Sequence, residues 1–368
     1  ISEEDMRETR IGLFVVTLLL ISTGILMVYS ASSIYAHEKW HDSFYYLKRY
    51  IIYGVIGAIL AGLAMSMDYY KFKTYSKMFI FISTILLILV LIPGIGKEVG
   101  GARRWFKFWI IGFQPSEFAK LSLIIYMADV LSRKQPKIKS FFHGFLPPMF
   151  ILGMSLGLVL MQPDLGTAVA MGVIAFIMFL VAGIRLVHLV PAILSSIPVL
   201  YALVFNVTYR RRRILAFMNP WNDPQGAGFQ IIQSFLALGS GGLLGVGLGQ
   251  SRQKLFYLPE SHTDFIFSII GEELGLAGTL GVILLFFLFI VYGTKIAVKA
   301  TEIFGHLLAV GLVSMIAIEA IINIAVVTGS VPTKGLPMPF ISYGGSALIC
   351  NMVAVGLLLN IGKHRFRL

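Results

Sequence analysis

Ten apolar stretches, each long enough to cross a bilayer, dominate the 368-residue chain. They run over about 11–30, 47–66, 75–93, 117–133, 145–161, 166–184, 187–207, 265–292, 305–328 and 346–362. A span needs about 20 mostly apolar residues, so the fourth and fifth, being short, are expected to be tilted or partly re-entrant. Nothing between them is long enough to fold as a soluble domain. Hydrophobic residues make up 57% of the chain and charged residues 13%, about half the charged share of a soluble protein. That excludes a soluble enzyme, a disordered chain and a disulfide scaffold. The expected fold is an all-α polytopic membrane protein of about ten transmembrane helices, one domain over residues 1–368. A long extracytoplasmic loop, 208–264, joins helices seven and eight.

The formal net charge is +12. The basic residues are scattered among the spans, which argues against nucleic acid and for anionic lipid or an anionic substrate. Ile1-Ser2-Glu3-Glu4-Asp5 resembles the tail of a Myc epitope tag, which would make Met6 the native start. The first apolar run is too long for a signal-peptide core and reads as a retained span. An even number of spans puts both termini on one side. Short loops on that side carry roughly twice the Lys and Arg of short loops opposite, which makes the termini cytoplasmic. Cys350 lies in an apolar run and reads as a packing residue.

The 208–264 connection is too long for a structureless loop in a compact protein. Phe229, Ile231, Ile232, Phe235, Leu236 and Leu238 suit a short interfacial helix. Six glycines between Gly239 and Gly249 then predict a flexible segment of close approach.

Ionisable groups at membrane depth are costly and mark functional sites by default. Arg103, Arg104, Trp105 and Lys107 stand in the second outer loop. Gln114-Pro115-Ser116-Glu117 leads into the fourth span, and Glu117 and Lys120 stand i,i+3, as an intrahelical pair or a cavity wall. In Gln162-Pro163-Asp164-Leu165-Gly166-Thr167, Asp164 reads as a helix cap, as a carboxylate at a cavity mouth, or as both. Arg210 to Arg213 is either a headgroup anchor or a phosphate site that Arg252 and Lys254 could extend. Glu260, His262, Thr263 and Asp264 gather where the eighth span begins. A desolvated carboxylate there would have the raised pKa a general base needs. Glu272 and Glu273 lie deeper, and Glu319 and Asn323 on the ninth span are candidates to bond across to them. Pro332 to Ser346 reads as a rigid outer loop, with Lys334 and Ser342 available to an anion. No metal-ligand spacing, P-loop, Rossmann or catalytic-triad signature occurs. From spacing alone, the chain handles an anionic lipid at its outer face.

The motifs together resemble the SEDS family (shape, elongation, division and sporulation), the FtsW/RodA proteins. The resemblance begins near residue 10 and rests on Arg103-Arg104-Trp105, the runs at 114–117 and 162–167, Pro259 to Phe267, Gly271-Glu272-Glu273-Leu274-Gly275 and Pro337 to Ser346. It implies a peptidoglycan glycosyltransferase of the bacterial cytoplasmic membrane. The implied substrate is lipid II, an undecaprenyl-pyrophosphate-linked disaccharide peptide. The implied partners are a class B penicillin-binding protein transpeptidase and other division or elongation proteins. The run 243–264 and Pro332 to Gly335 lean toward the septal branch over the elongation branch.

Under that resemblance Asp264 matches the family's essential outer-loop aspartate and is expected to be the general base of an inverting transfer. Arg103, Lys120, Arg213 and Lys334 are expected at the leaving pyrophosphate. No cofactor is required, although a divalent cation (Mg²⁺ or Mn²⁺) could share that charge. Trp105, Gln114, Ser116, Glu117, Gln162, Asp164, Arg210, Lys254, Glu260, His262, Thr263 and Ser342 are expected to bind substrate or shape the cavity. A lipid II flippase and a non-catalytic scaffold for the transpeptidase are the rival readings.

Overall fold

A computed structural model describes residues 3–99, 101–108, 111–333 and 335–363. Among these, thirteen α-helices follow in chain order: α1 (Glu3–Trp40), α2 (Tyr45–Ser66), α3 (Tyr69–Thr74), α4 (Ser76–Leu89), α5 (Pro115–Arg133), α6 (Leu146–Met161), α7 (Leu165–Ala182), α8 (Leu186–Phe205), α9 (Thr208–Met218), α10 (Phe229–Ser240), α11 (Ile266–Lys299), α12 (Ile303–Val327) and α13 (Gly345–Lys363). All ten expected stretches are helical, and eight of the helices are long and apolar enough to cross a membrane. The other two are α4, with 14 residues, and α5, which carries Glu117, Lys120, Asp129 and Arg133. Nearly every residue of α5 is buried among other helices, so it has no need of a lipid-facing stripe.

α5, α12 and α13 form the centre of the bundle, with α13 the most buried of the long apolar helices. α8 stands at the edge, burying only Leu189. Both ends of the described chain lie at one end of the bundle: Arg10 lies against Gly362, and Asp5 pairs with Lys299. The opposite end carries the connections at 41–44, 90–114, 162–164, 206–265 and 328–344. One element goes beyond an all-α reading. Between α4 and α5 lies an antiparallel sheet of β1 (Lys97–Val99), β2 (Ala102–Phe108) and β3 (Ile111–Phe113), in the order β1-β2-β3.

The expected interfacial helix is α10, which buries Ile231 and Ile232. The glycine run after it serves proximity rather than flexibility. At Gly275 (φ 67°, ψ −161°) α11 leaves helical geometry. The freed carbonyls of Glu272 and Glu273 accept from the N–H groups of Val246 and Gly247, and Leu276 and Ala277 donate back to Gly242 and Leu243. A Cβ on Gly241, Gly245 or Gly275 would strike main-chain atoms. The 241–247 segment is thus stitched into the break in α11, where every polar backbone group needs a partner.

Candidate active site

The connections at the loop-rich end enclose a cavity of about 1030 Å³. Asp264 sits in its wall, half-buried, one residue before the Phe265 cap of α11. Asp264 is not the cap of α11: Phe265 holds that position, and no side-chain cap bond forms. Glu260 has a left-handed backbone (φ 57°), and its carbonyl accepts from the N–H groups of Thr263 and Phe265. This tight turn aims residue 264 into the cavity. Its main chain is held from behind. The Asn323 amide donates to the Asp264 carbonyl, and the Ser342 hydroxyl donates to the Thr263 carbonyl at 2.5 Å. Among the described residues no hydrogen bond to the Asp264 carboxylate is found. Burial, then the charge of Glu260, pushes its pKa up to about 7, against the pull of Arg213 and Arg104.

Cations share this cavity with the carboxylate. Arg49, Lys97, Arg104, Lys107, Arg210 and Arg213 line the cavity, against Asp164, Glu260 and Asp264. Arg213 is placed by its bond to the Thr333 carbonyl (3.3 Å), and Arg210 by the Leu203 carbonyl (2.8 Å). Trp105, Gln114 and Thr263 also line it. Asp164 carries both of its expected roles. It accepts from the Thr167 N–H (3.2 Å) and hydroxyl (2.9 Å), capping α7, and it faces the cavity.

Other expected residues lie elsewhere. Arg103 turns onto Glu98 (3.3 Å), its cross-strand partner, and the cavity cation of this pair is Arg104. The Arg104 guanidinium donates to the carbonyls of Gln162 (2.9 Å) and Pro163 (2.6 Å), tying the sheet to the α6–α7 turn. Lys120 is 1% exposed, sealed between Glu117 (3.0 Å) and Glu319, so it cannot reach a leaving group from this position. Glu117 is sealed with it. Ser116 is buried and accepts from Gln114, and Gln162 is buried beside Leu87. Lys254 is buried against Glu273 (2.8 Å) and Ser30 (3.2 Å), so it does not extend the arginine cluster. His262 lies behind the wall among Tyr35, Tyr46 and Tyr343, and burial pushes its pKa down to about 4, leaving it neutral at physiological pH. Ser342 is buried as a loop brace, accepting from the Met338 N–H. Lys334 lies outside the described residues.

The deep carboxylates do not bond to one another. Glu272 accepts from the Ser251 hydroxyl and the N–H groups of Arg252 and Gln253, while Glu319 turns to Lys120. Among the described residues no three His, Cys, Asp or Glu side chains group as a metal ion requires. The divalent-cation expectation finds no donor set there. Arg104 was missed as a site residue because a loop reading cannot tell it from Arg103. Arg49 was missed because nothing in the sequence marks the α1–α2 corner as cavity wall. Tyr343 lies in the expected 332–346 loop, but the sequence reading there favours its neighbour Ser342, which turns inward.

The sequence pattern of the FtsW/RodA/SpoVE cell cycle proteins matches residues 10–367. A Geobacter sulfurreducens protein, named a probable peptidoglycan glycosyltransferase FtsW, is 50% identical over 341 residues, 93% of this chain and 91% of its own. Stage V sporulation protein E of Bacillus subtilis is 47% identical over 352 residues, 96% of each chain. Among solved structures, a chain from a peptidoglycan synthase complex studied for the coordination of polymerization and crosslinking superposes with a TM-score of 0.79 at 29% identity, over 97% of this chain and 98% of that one. The rod shape determining protein RodA of Thermus thermophilus superposes with a TM-score of 0.72 at 27% identity, over 97% of each.

Proposed function

The chain belongs to the FtsW/RodA/SpoVE family of cell cycle proteins, and from that premise we propose how it works as a peptidoglycan glycosyltransferase, with septal wall synthesis as its task. The substrate is lipid II, presented to the cavity from the outer leaflet while both termini stay in the cytoplasm. Its lipid tail remains in the bilayer beside the bundle. The disaccharide and pyrophosphate enter the cavity, whose volume of about 1030 Å³ lies at the upper end of small-molecule sites.

The observation that carries this reading is the Asp264 carboxylate facing a cavity lined by Arg104, Arg210 and Arg213, on a turn braced from behind by Asn323 and Ser342. Burial raises its pKa toward the range a base needs. Asp264 takes the proton from the 4-hydroxyl of the acceptor sugar, and the oxygen attacks the anomeric carbon of the donor strand. The bond to undecaprenyl pyrophosphate breaks, and the configuration inverts from α to β. Charge grows on the leaving pyrophosphate, and Arg104, Arg210 and Arg213 lie in the same cavity to receive it. Fixed charges aimed at developing charge are the largest single source of such acceleration. A general base works best with a pKa near the operating pH, and contributes about 10²–10⁴-fold.

The deep ionisable groups support this reading over transport. Lys120, Lys254, Glu117, Glu273 and Glu319 are tied into buried pairs rather than lining a path across the bundle. A class B penicillin-binding protein is the proposed partner, consistent with the synthase complex among the structural neighbours.

The test is polymerisation of fluorescent lipid II by the purified chain, with and without its cognate transpeptidase. Glycan ladders that vanish in Asp264→Ala are expected. Leaflet transfer without polymer would replace the enzyme with a flippase. Neither activity, with the partner still bound, would leave a scaffold.

A further inference from the structure

The cavity is chemically lopsided. Lys97, Arg104, Lys107, Arg210 and Arg213 come from the sheet and α9, whereas the α1–α2 corner supplies Trp40, Tyr45 and Tyr46 around a single cation, Arg49. Trp40 and Tyr45 stack with centroids 4.6 Å apart and planes 10° from parallel. The Arg49 guanidinium lies 4.5 Å from the same Tyr45 ring. Two groups so close cannot share one face, so Tyr45 is sandwiched and its orientation fixed. The Tyr45 edge meets Tyr46 at 5.2 Å. Tyr46 packs in turn on Tyr343 (5.0 Å) and His262 (4.5 Å). A continuous run of rings thus leads from Trp40, 47% exposed, to a residue two places from Asp264.

Aromatic residues near the end of a transmembrane helix ordinarily serve as an interfacial belt. This run differs in three ways. Trp40, Tyr45, Tyr46 and Tyr343 all line the cavity that also holds the cations. Its members come from two distant parts of the chain, and it ends on the turn that carries the proposed base. The outer face of Trp40, held in place by the sandwiched Tyr45 behind it, fits a pyranose, whose C–H face stacks on the ring while its hydroxyls stay hydrated or bond to the polar edges of Tyr45, Tyr46 and Tyr343.

We propose that the Trp40–Tyr45–Tyr46–Tyr343 wall is a saccharide track that holds the glycan strand beside the reaction centre, while the cationic wall holds pyrophosphate. This rests on the polymerase reading above. The track contributes binding only, and strand length is the property it controls, because a strand released after each addition stays short.

The experiment compares the wild-type chain with Trp40→Ala, Trp40→Leu, Trp40→Phe and Tyr45→Ala. Product length comes from gels with fluorescent lipid II, and calorimetric titration with a soluble tetrasaccharide of alternating N-acetylglucosamine and N-acetylmuramic acid gives affinity. Trp40→Ala, Trp40→Leu and Tyr45→Ala are expected to shorten the mean strand about threefold and weaken tetrasaccharide binding about fivefold, while Trp40→Phe keeps both near wild type. Unchanged lengths and affinities would overturn the proposal, as would Trp40→Leu matching Trp40→Phe, since bulk without a π face would then suffice. If the wild-type chain makes no polymer, the polymerase reading fails, and the titration alone still decides whether the wall binds saccharide.

Discussion

The side-chain amide of Asn323, on α12, donates to the main-chain carbonyl of Asp264 at 2.9 Å. It also donates to the Leu336 carbonyl at 2.8 Å. One buried amide therefore holds the proposed base and the 328–344 loop in a fixed relation. Asn323→Ala should lower kcat about 10–100-fold with KM nearly unchanged, because small misplacements of a catalytic group cost about that much. It should also destabilise the fold by about 1–3 kcal/mol, since the buried Leu336 carbonyl and the half-buried Asp264 carbonyl lose their donor. Asn323→Gln, which keeps the donor, is expected to recover part of the rate. Steady-state kinetics and thermal melts in detergent read both effects. A rate loss that merely tracks the folded fraction would deny Asn323 any positioning role.

Asp264 itself links activity to stability through pH. Its pKa rises on folding from the ordinary carboxylate range to about 7. The folded state therefore holds the proton more tightly than the unfolded state, so this contribution to stability is full below the ordinary carboxylate range, is lost as pH rises from there to about 7, and falls no further above it. Activity runs the other way, since a general base must be ionised. kcat/KM should climb about tenfold per pH unit on the acid limb and level off above about 7. Asp264→Asn should abolish polymer yet melt higher than wild type at pH 8, with the difference gone near pH 3. A variant that melts lower at pH 8 would show that the carboxylate is stabilised in the fold, contrary to its buried setting.

What could be read from the sequence follows from the range of the forces involved. The ten helical stretches were legible, eight of them long and apolar enough to span, because hydrophobicity along a helix is a local property. The Asp164 cap was legible because both partners lie within three residues. Long-range pairing was not. Lys120 finds Glu319, 199 residues away, and no spacing rule predicts that. Arg103 and Arg104 were interchangeable until pairing of β2 with β1 placed Arg103 opposite Glu98. The 241–247 run announced close approach through its glycines, but its target, the break at Gly275, belongs to a helix that reads as continuous in hydropathy. The aromatic wall joins α1, α2 and the 328–344 loop, and only the packed bundle brings them together.

Lys120 tests whether a conspicuous charge is catalytic or structural. It lies between Glu117 and Glu319, and all three side chains are buried. Lys120→Met would leave two buried carboxylates without a counter-charge and should destabilise the fold by about 3–5 kcal/mol. Adding Glu117→Gln and Glu319→Gln should return much of that loss. Among molecules that remain folded, turnover should recover alongside stability in the triple variant, as read by active-site titration and melting. A stable triple variant with no polymerisation would instead return Lys120 to the chemistry.

The stitched segment behind the site makes the last prediction. Gly245 has φ 83°, and a Cβ there would strike the Glu273 main chain. Gly245→Ala should push the segment away from α11 and strand the Glu272 and Glu273 carbonyls at the break, which accept from Val246 and Gly247. Gly239 has open space around the corresponding position, so Gly239→Ala is the matched control. The strained variant should expose residues 241–258 to limited proteolysis, with protection free energy lower by about 1–3 kcal/mol. Polymerisation should fall with it, because the same segment leads into the Glu260 turn that aims Asp264. Wild-type protease resistance in Gly245→Ala would mean that the segment is held by Lys254 and Ser251 alone, and the glycines would then need another explanation.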